Sequence, residues 1–318
     1  MPSLGLDIGG TSVKCAILAN LAHADRADAP RDAVTATLAT ARSAPYAKPD
    51  TDTLRRALRE AVAAVTREAG ASAAIISHVG LCAPGLFDEA TRAITLSVNV
   101  PGLVGVPLDE LVADALAATA STPIPPARIV TDAYAATYDA WITTTASLAS
   151  HPTQSTRFLG VALGTGVGAC VLDDGAPLLV SGRSPGHLGQ IDVSVTESGH
   201  AVPIGPDGGR GSLEAYMGVP ALIRRFGADF GPGLVGQDLK DPPLAALVRA
   251  LRICHGIYRP NVIALLGGVG MVLRPRLSDL LAAVAVDLTS VARPGWTLQG
   301  PSHAFHAACG AARLSHVE

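Results

Sequence analysis

Short apolar runs at Leu4–Ile8 and Val13–Leu18 flank Gly9-Gly10-Thr11, and two β-prone runs around a glycine turn predict a hairpin. Ala33–Ala41 alternates enough to add a third strand. Thr51–Glu68 predicts a helix: Leu54, Leu58, Ala61, Val62 and Val65 share one face, Arg55, Arg56, Arg59 and Glu60 fall mostly elsewhere, and Gly70 ends it. Ala74–Cys82 reads as a buried strand running into Ala83-Pro84-Gly85. Pro107 with Asp109 and Glu110 opens a further helix, because acidic residues suit the positive N-terminal end.

The opening pattern then recurs. Arg128–Thr131 predicts a strand and Ala133–Trp141 the start of a helix, after which Phe158–Leu163, Gly164-Thr165-Gly166 and Val167–Leu172 repeat the strand–glycine–strand arrangement. Residues 182–211 are irregular and rich in glycine. Leu213–Phe226, Pro242–Tyr258 and Arg276–Val291 read as helices, Val262–Leu266 and Trp296–Leu298 as strands, and His303–Leu314 as a last helix. Strands alternating with helices predict an α/β protein, and the repeated hairpin predicts two related halves. The proline-rich Ser121–Pro126 marks the expected boundary between an N-terminal domain, 1–120, and a C-terminal domain, 121–302.

Composition narrows the class. At 318 residues, 48% hydrophobic and 16% charged, the chain can bury a large core and does not read as disordered. Mean hydropathy is +0.34, yet glycines break the greasiest stretches before they reach the roughly 18 apolar residues that span a bilayer. The N-terminus shows no basic leader, and a net charge of −3 without a basic run argues against nucleic acid. Cys15, Cys82, Cys170, Cys254 and Cys309 are odd in number and scattered, as expected of reduced thiols in a cytoplasmic protein. Eighteen of the 33 glycines lie between Gly160 and Gly236, which points to backbone that bends sharply or approaches a ligand closely.

Three segments carry candidate chemistry. In Asp7-Ile8-Gly9-Gly10-Thr11 the turn can aim backbone N–H groups at an anion, Thr11 adds a hydroxyl, and Asp7 can hold magnesium directly or through water. An ordinary glycine hairpin would look the same taken alone. Gly164-Thr165-Gly166 repeats the geometry, with no charged residue from Phe158 to Leu172, and two such turns could grip a triphosphate. Gly267-Gly268, ending a buried strand, suits close approach of an adenine–ribose face, and a helix-packing turn explains it equally well.

The order DIGGT, ALGTGVG, LLGGVG and a terminal CGAARL resembles the ROK family of sugar kinases, within the actin, hexokinase and heat-shock ATPase superfamily. The resemblance implies two ribonuclease-H-like/actin-like α/β domains, with ATP and sugar in the cleft between them and the last helix, 303–318, returning to the N-terminal domain. It places Asp132, in Val130–Ala136, at the catalytic base, where a carboxylate can accept the proton of an attacking hydroxyl. A plain helix N-cap is the alternative for that aspartate. It places Asn99, before Pro101-Gly102, at the sugar, where a turn residue is the alternative.

Two departures stand out. The family's GEIGH segment aligns with Gly186–Gln190, so His187 replaces the glutamate and Gln190 the histidine of the sugar site. The stretch expected to hold zinc cysteines, Gly205–Ser212, has none, which predicts no zinc. Glu214 matches a family glutamate and is expected at the sugar, or simply starts the Leu213 helix; His200 and Arg210 are looser candidates, solvated loop residues by default. The expected activity is transfer of phosphate from ATP, with Mg²⁺, to a hydroxyl of a hexose or related sugar. A non-catalytic nucleotide- or sugar-binding relative and a polyphosphate-using kinase are the alternatives. The family's DNA-binding regulators carry a helix-turn-helix segment ahead of the DxGGT motif, and a motif starting at Asp7 leaves no room for one. A homodimer is the expected assembly.

Overall fold

The computed structural model describes residues 2–19, 36–70, 76–117, 126–147, 156–180, 184–195 and 201–316. Their contacts divide the chain into two units, residues 1–152 with 305–318, and residues 153–304.

In the first unit the opening apolar runs become β1 (Ser3–Ile8) and β2 (Val13–Leu18), antiparallel with Asp7 opposite Lys14. β3 (Thr37–Arg42) pairs with the far side of β2, while residues 33–35 of the expected strand lie outside the described residues. α1 (Thr51–Ala69) starts where the Asp50 carboxylate accepts from Thr53 N at 2.8 Å, and it ends at Gly70, whose φ of 59° favours glycine. β4 (His78–Cys82) lies parallel to β1. A short hairpin, β5 (Leu86–Asp88) with β6 (Ala93–Leu96), has no counterpart in the sequence reading. α2 (Leu108–Leu116), β7 (Arg128–Val130) and α3 (Asp132–Ser147) follow.

The sheet order is β3-β2-β1-β4-β7. Alternation along β1 sends Leu4, Leu6 and Ile8 into the core under α1 and α2 and turns Gly5 and Asp7 to the opposite face. The division between units does not fall at residue 121. β7 pairs with β4 and completes the first sheet, so it and α3 belong to the first unit. Residues 121–125 of the proline-rich segment lie outside the described residues.

The second unit repeats the plan. β8 (Arg157–Leu163) and β9 (Val167–Asp173) form the second hairpin, and β10 (Ala176–Pro177) extends it. The expected helix over 213–226 is two, α4 (Leu213–Met217) and α5 (Val219–Phe226), because Gly218 is extended with ψ 142° and Pro220 restarts the coil. α6 (Phe230–Val235) and α7 (Leu244–Tyr258) precede β11 (Val262–Leu266), α8 (Gly267–Val272), α9 (Leu277–Val286) and β12 (Thr297–Gln299). The order β10-β9-β8-β11-β12 has the same antiparallel-then-parallel pattern as the first sheet, so the two halves read in the sequence share one topology.

α10 (His306–Leu314) lies on the sheet of the first unit, on the face that Gly5 and Asp7 share, and against α3. Glycine permits this contact. A Cβ on Gly5 would lie 1.8 Å from Ala308 O, one on Gly80 1.9 Å from Ala311 O, and one on Gly310 1.8 Å from Ala135 O. All three obstacles are backbone and cannot swing aside. Gly80→Ala is therefore expected to destabilise the protein by about 1–3 kcal/mol. Gly256→Ala, in α7 with open space around the added Cβ, is expected to stabilise by about 0.5–1 kcal/mol. Denaturant melts of the pair check both signs.

Among the described residues, no helix is long and apolar enough to cross a membrane. All five cysteines are free and buried, and burial pushes the Cys170, Cys254 and Cys309 thiols up to about 12, which makes them poor nucleophiles.

Candidate functional site

The parallel strands β1, β4 and β7 all end at one edge of the first sheet, and the ionisable groups gather there. Asp7, 4% exposed, is the last but one residue of β1. Lys14 reaches it from the opposite position on β2, with Nζ 3.5 Å from Oδ2. Cys82, ending β4, donates its thiol to Asp7 Oδ1 at 3.7 Å. Open α/β sheets bind ligands outside the carboxyl ends of their strands, and this edge has that geometry.

The turn beyond Asp7 is braced from behind. Gly9 N donates to Ser12 O at 3.1 Å, and the Tyr46 hydroxyl donates to Gly9 O at 2.7 Å. Tyr46 N donates to Thr11 O at 2.9 Å, and Val13 N to the Ser43 hydroxyl at 3.0 Å. Gly9 and Gly10 are half-buried and Thr11 is exposed, so the turn stays accessible while its flanks are fixed. Burial and the Asp7 charge push the Tyr46 hydroxyl well above its usual range, keeping it a donor.

Asp132 opens α3, two residues past the end of β7 at Val130. It does not cap the helix: Tyr134 N bonds the Thr131 hydroxyl at 3.3 Å, and Ala135 N bonds Thr131 O. The Asp132 carboxylate accepts from Ala133 N at 2.8 Å. Burial, and next the negative charge of Asp7, raise its pKa from 3.8 to about 6, while the Ala133 N–H and Lys14 pull the other way. Two carboxylates that push one pKa upward form the arrangement that poises a base near neutral pH.

In the second unit the turn Gly164–Gly166 is closed by Gly164 N donating to Gly166 O at 2.9 Å. The start of α5 holds it through Val219 N to Gly164 O at 2.9 Å, and a Glu214 oxygen accepts from Val167 N at 2.8 Å. Gly267, with φ 80°, packs where a Cβ would lie 2.4 Å from Leu163 O, so Gly267-Gly268 abuts the end of β8 beside the same turn. Gly189 is as tight, 2.3 Å from Val167 O.

Asn99 is half-buried in a turn whose side-chain bond comes from Ser97, whose hydroxyl accepts from Val100 N at 3.3 Å. His187 is exposed, just before the short 3-10 turn Leu188–Gln190, and lines a cavity of about 140 Å³ with Leu159, Val171, Ile253 and Tyr258. Gln190 lies against the glycine loop, its Oε1 2.8 Å from where a Gly209 Cβ would stand. Arg210 is exposed and bridges Ile204, and His200 lies outside the described residues. The sequence reading passed over Lys14, Tyr46 and Cys82. Lys14 was within reach, since a hairpin register places it opposite Asp7; the other two depend on tertiary packing.

A sequence profile described as "ROK family" matches residues 3–274. No curated protein matches the sequence. Among solved structures, a ROK hexokinase from Thermus thermophilus is 22% identical with a TM-score of 0.64, over 100% of this chain and 98% of its own. A ROK family glucokinase from Streptomyces griseus, solved with glucose and AMPPNP, is 18% identical with a TM-score of 0.67, over 100% of both chains. A ROK family transcriptional regulator, a homologue of the E. coli MLC protein, is 15% identical with a TM-score of 0.62, over 99% of this chain and 78% of its own. At these identities the likeness is one of fold: the mixed α/β fold of ROK proteins.

Proposed function

The chain belongs to the ROK family, and on that premise we propose that it is an ATP-dependent sugar kinase, transferring the γ-phosphoryl group of ATP to a hydroxyl of a hexose or related sugar. The observation that carries the reading is Asp132, a carboxylate raised to about pH 6 beside Asp7 at the carboxyl edge of the sheet. Asp132 accepts the hydroxyl proton, the sugar oxygen forms a bond to the γ-phosphorus, and the bond from phosphorus to the ADP oxygen breaks. The proton leaves Asp132 for solvent afterwards.

Gly9 and Gly164 close the two turns with their own N–H groups, and the N–H groups of Gly10 and Thr11, and likewise of Thr165 and Gly166, supply donors to phosphate oxygens together with the two threonine hydroxyls; Gly267 and Gly268 admit the adenosine. Asn99, His187 and Gln190 meet sugar hydroxyls. The Asp7 carboxylate offers the hard oxygens that magnesium prefers, bound directly or through water. When bound, magnesium neutralises phosphate charge as the P–O bond breaks. Five reduced, buried thiols favour a cytoplasmic location, and a homodimer is the assembly we assign.

The reading includes no zinc. Residues 205–212 contain no cysteine, and the loop is held by Gly205 N to Gly209 O and Gly211 N to Pro203 O, each at 2.8 Å. Dialysis against a zinc chelator is expected to leave the melting temperature unchanged, and a fall of several degrees would overturn this part.

A non-catalytic binder is the second reading, favoured by one observation: His187 and Gln190 stand where the family has a carboxylate and a histidine. A coupled ADP-release assay over hexoses, amino sugars, pentoses and polyols separates the two. Sugar-dependent ADP release supports the kinase. ATP binding without turnover on any sugar supports the binder, and phosphorylation driven by polyphosphate alone changes the donor.

A further inference from the structure

We infer that Glu214 is a positioning residue for the turn Gly164–Gly166, setting its N–H donors for the phosphates; the inference rests on that turn binding phosphate, as proposed above. The resemblance to the family points this glutamate at the sugar. In the structure its Oε2 accepts from Val167 N, the residue directly after the turn, at 2.8 Å.

The bond is one side of a clamp. Val167 begins β9 opposite Leu163, the last registered pair of the hairpin, and beyond that pair the three-residue turn is crossed by its own Gly164 N to Gly166 O bond at 2.9 Å, which leaves its two ends to be held from outside the hairpin. Glu214 holds the outgoing end through Val167 N, while Val219 N holds the ingoing end through Gly164 O at 2.9 Å. Both grips come from one piece of chain. Glu214 lies in α4, Val219 begins α5, and Gly218 between them bonds back to Glu214 O at 3.0 Å. Gly218 also fits against the tip of the turn, where a Cβ would stand 3.0 Å from Thr165 O. Behind α4, the Ser212 hydroxyl accepts from Ala215 N, which fixes the direction of the Glu214 backbone.

The chemistry suits the position. Glu214 is only 9% exposed, and a buried carboxylate on a backbone N–H makes a charge-assisted bond, stronger than a neutral one and more directional. A glycine turn has the most conformations to lose, so it gains the most from such a brace. A donor loop left about 1 Å loose binds its ligand poorly even with every donor present. The break between α4 and α5, which the helical pattern of residues 213–226 hides, places Glu214 and Val219 on the two ends of the turn.

The test compares Glu214→Ala with Glu214→Gln by titrating a fluorescent ATP analogue with Mg²⁺, alongside steady-state kinetics. Alanine is expected to raise the nucleotide Kd and the KM for ATP about tenfold or more, with the sugar KM within twofold. Glutamine, whose amide oxygen can still accept from Val167 N, is expected to rescue the Kd to within threefold of wild type. Gly218→Ala serves where the first variant fails to fold: its Cβ pushes on Thr165 O and is expected to weaken the nucleotide by itself. A raised sugar KM at unchanged nucleotide Kd overturns the inference in favour of a sugar ligand. Equal loss in alanine and glutamine, or no loss in alanine and in Gly218→Ala, also overturns it. Wild-type protein that binds the analogue but turns over no sugar sinks the kinase and leaves the Kd comparison valid. Wild-type protein that binds no nucleotide overturns both.

Discussion

Asp132→Asn is expected to slow sugar-dependent ADP release by roughly 10²–10⁴-fold while leaving the protein folded. Asparagine keeps the shape of the side chain, and its oxygen can still accept from Ala133 N, but it cannot take a proton from a sugar hydroxyl. Thr131, not Asp132, caps α3, so the substitution does not cost the helix its start. A variant retaining activity within tenfold of wild type would remove Asp132 from the reaction.

The same residue sets opposite trends in activity and stability. As a base Asp132 must be ionised, so with its pKa at about 6 the wild-type kcat/KM is expected to fall about tenfold per pH unit below that point. For folding the sign reverses. The pKa is raised from 3.8, so the folded state holds a proton that the unfolded state has released between pH 4 and 6. Stability therefore declines as pH rises through this window, and the ionised residue costs the fold up to about 3 kcal/mol at neutral pH. Because Asp132 is not sealed from water, the gain expected for asparagine is smaller, on the order of 1–2 kcal/mol. Denaturant melts at pH 5 and pH 7.5 check it: asparagine should stabilise at the higher pH and much less at the lower. A variant that is inactive and more stable carries the mark of a group held for function.

Much of this site was legible in the chain because its residues sit at strand ends that periodicity marks. Asp7 and the two glycine turns follow from runs of alternating or apolar residues that stop at glycine, and the repeat of that pattern at residues 158–172 gave the second sheet. Harder to read were features that depend on a neighbour distant in sequence. Nothing local separates α4 from α5, since residues 213–226 form a plausible single helix; the extended Gly218 is set by Thr165 across the unit. α6 contains Gly231, Pro232 and Gly233, poor helix formers whose position is fixed by packing. β5 and β6 are only three and four residues long, joined through Arg92 at φ 52°, a conformation that few side chains advertise. The unit boundary was misplaced because a proline-rich segment resembles a linker, whereas pairing of β7 with β4 decides the matter.

Asp139→Ala is expected to destabilise the first unit by about 3–5 kcal/mol, against less than about 1 kcal/mol for Asp114→Ala. Both aspartates pair with arginine in the structure, so the difference isolates burial. Asp114 is bonded by Arg59 at 2.5 Å and 3.0 Å on the surface, where the arginine side chain is 56% exposed and water competes for it. Asp139 is 0% exposed and takes two partners from α10, His306 Nδ1 and Arg313 Nε, each at 2.6 Å. Removing that carboxylate takes away the buried acceptor shared by a guanidinium, 8% exposed, and a buried imidazole. The loss reaches the site through α3. Asp139 lies seven residues, about two turns, beyond Asp132 on the same helix face, so its bonds to α10 hold the helix that presents the base. Asp139→Asn sharpens the comparison: one amide oxygen can serve one donor, but the amide NH₂ then faces the other, and most of the loss should remain. Urea melts followed by a probe in the first unit, with the sugar-dependent rate measured at a temperature where the variants stay folded, test both consequences. If Asp139→Ala melts within 1 kcal/mol of Asp114→Ala, the buried trio does not hold α10 to α3, and the glycine contacts at Gly80 and Gly310 must carry the helix without it.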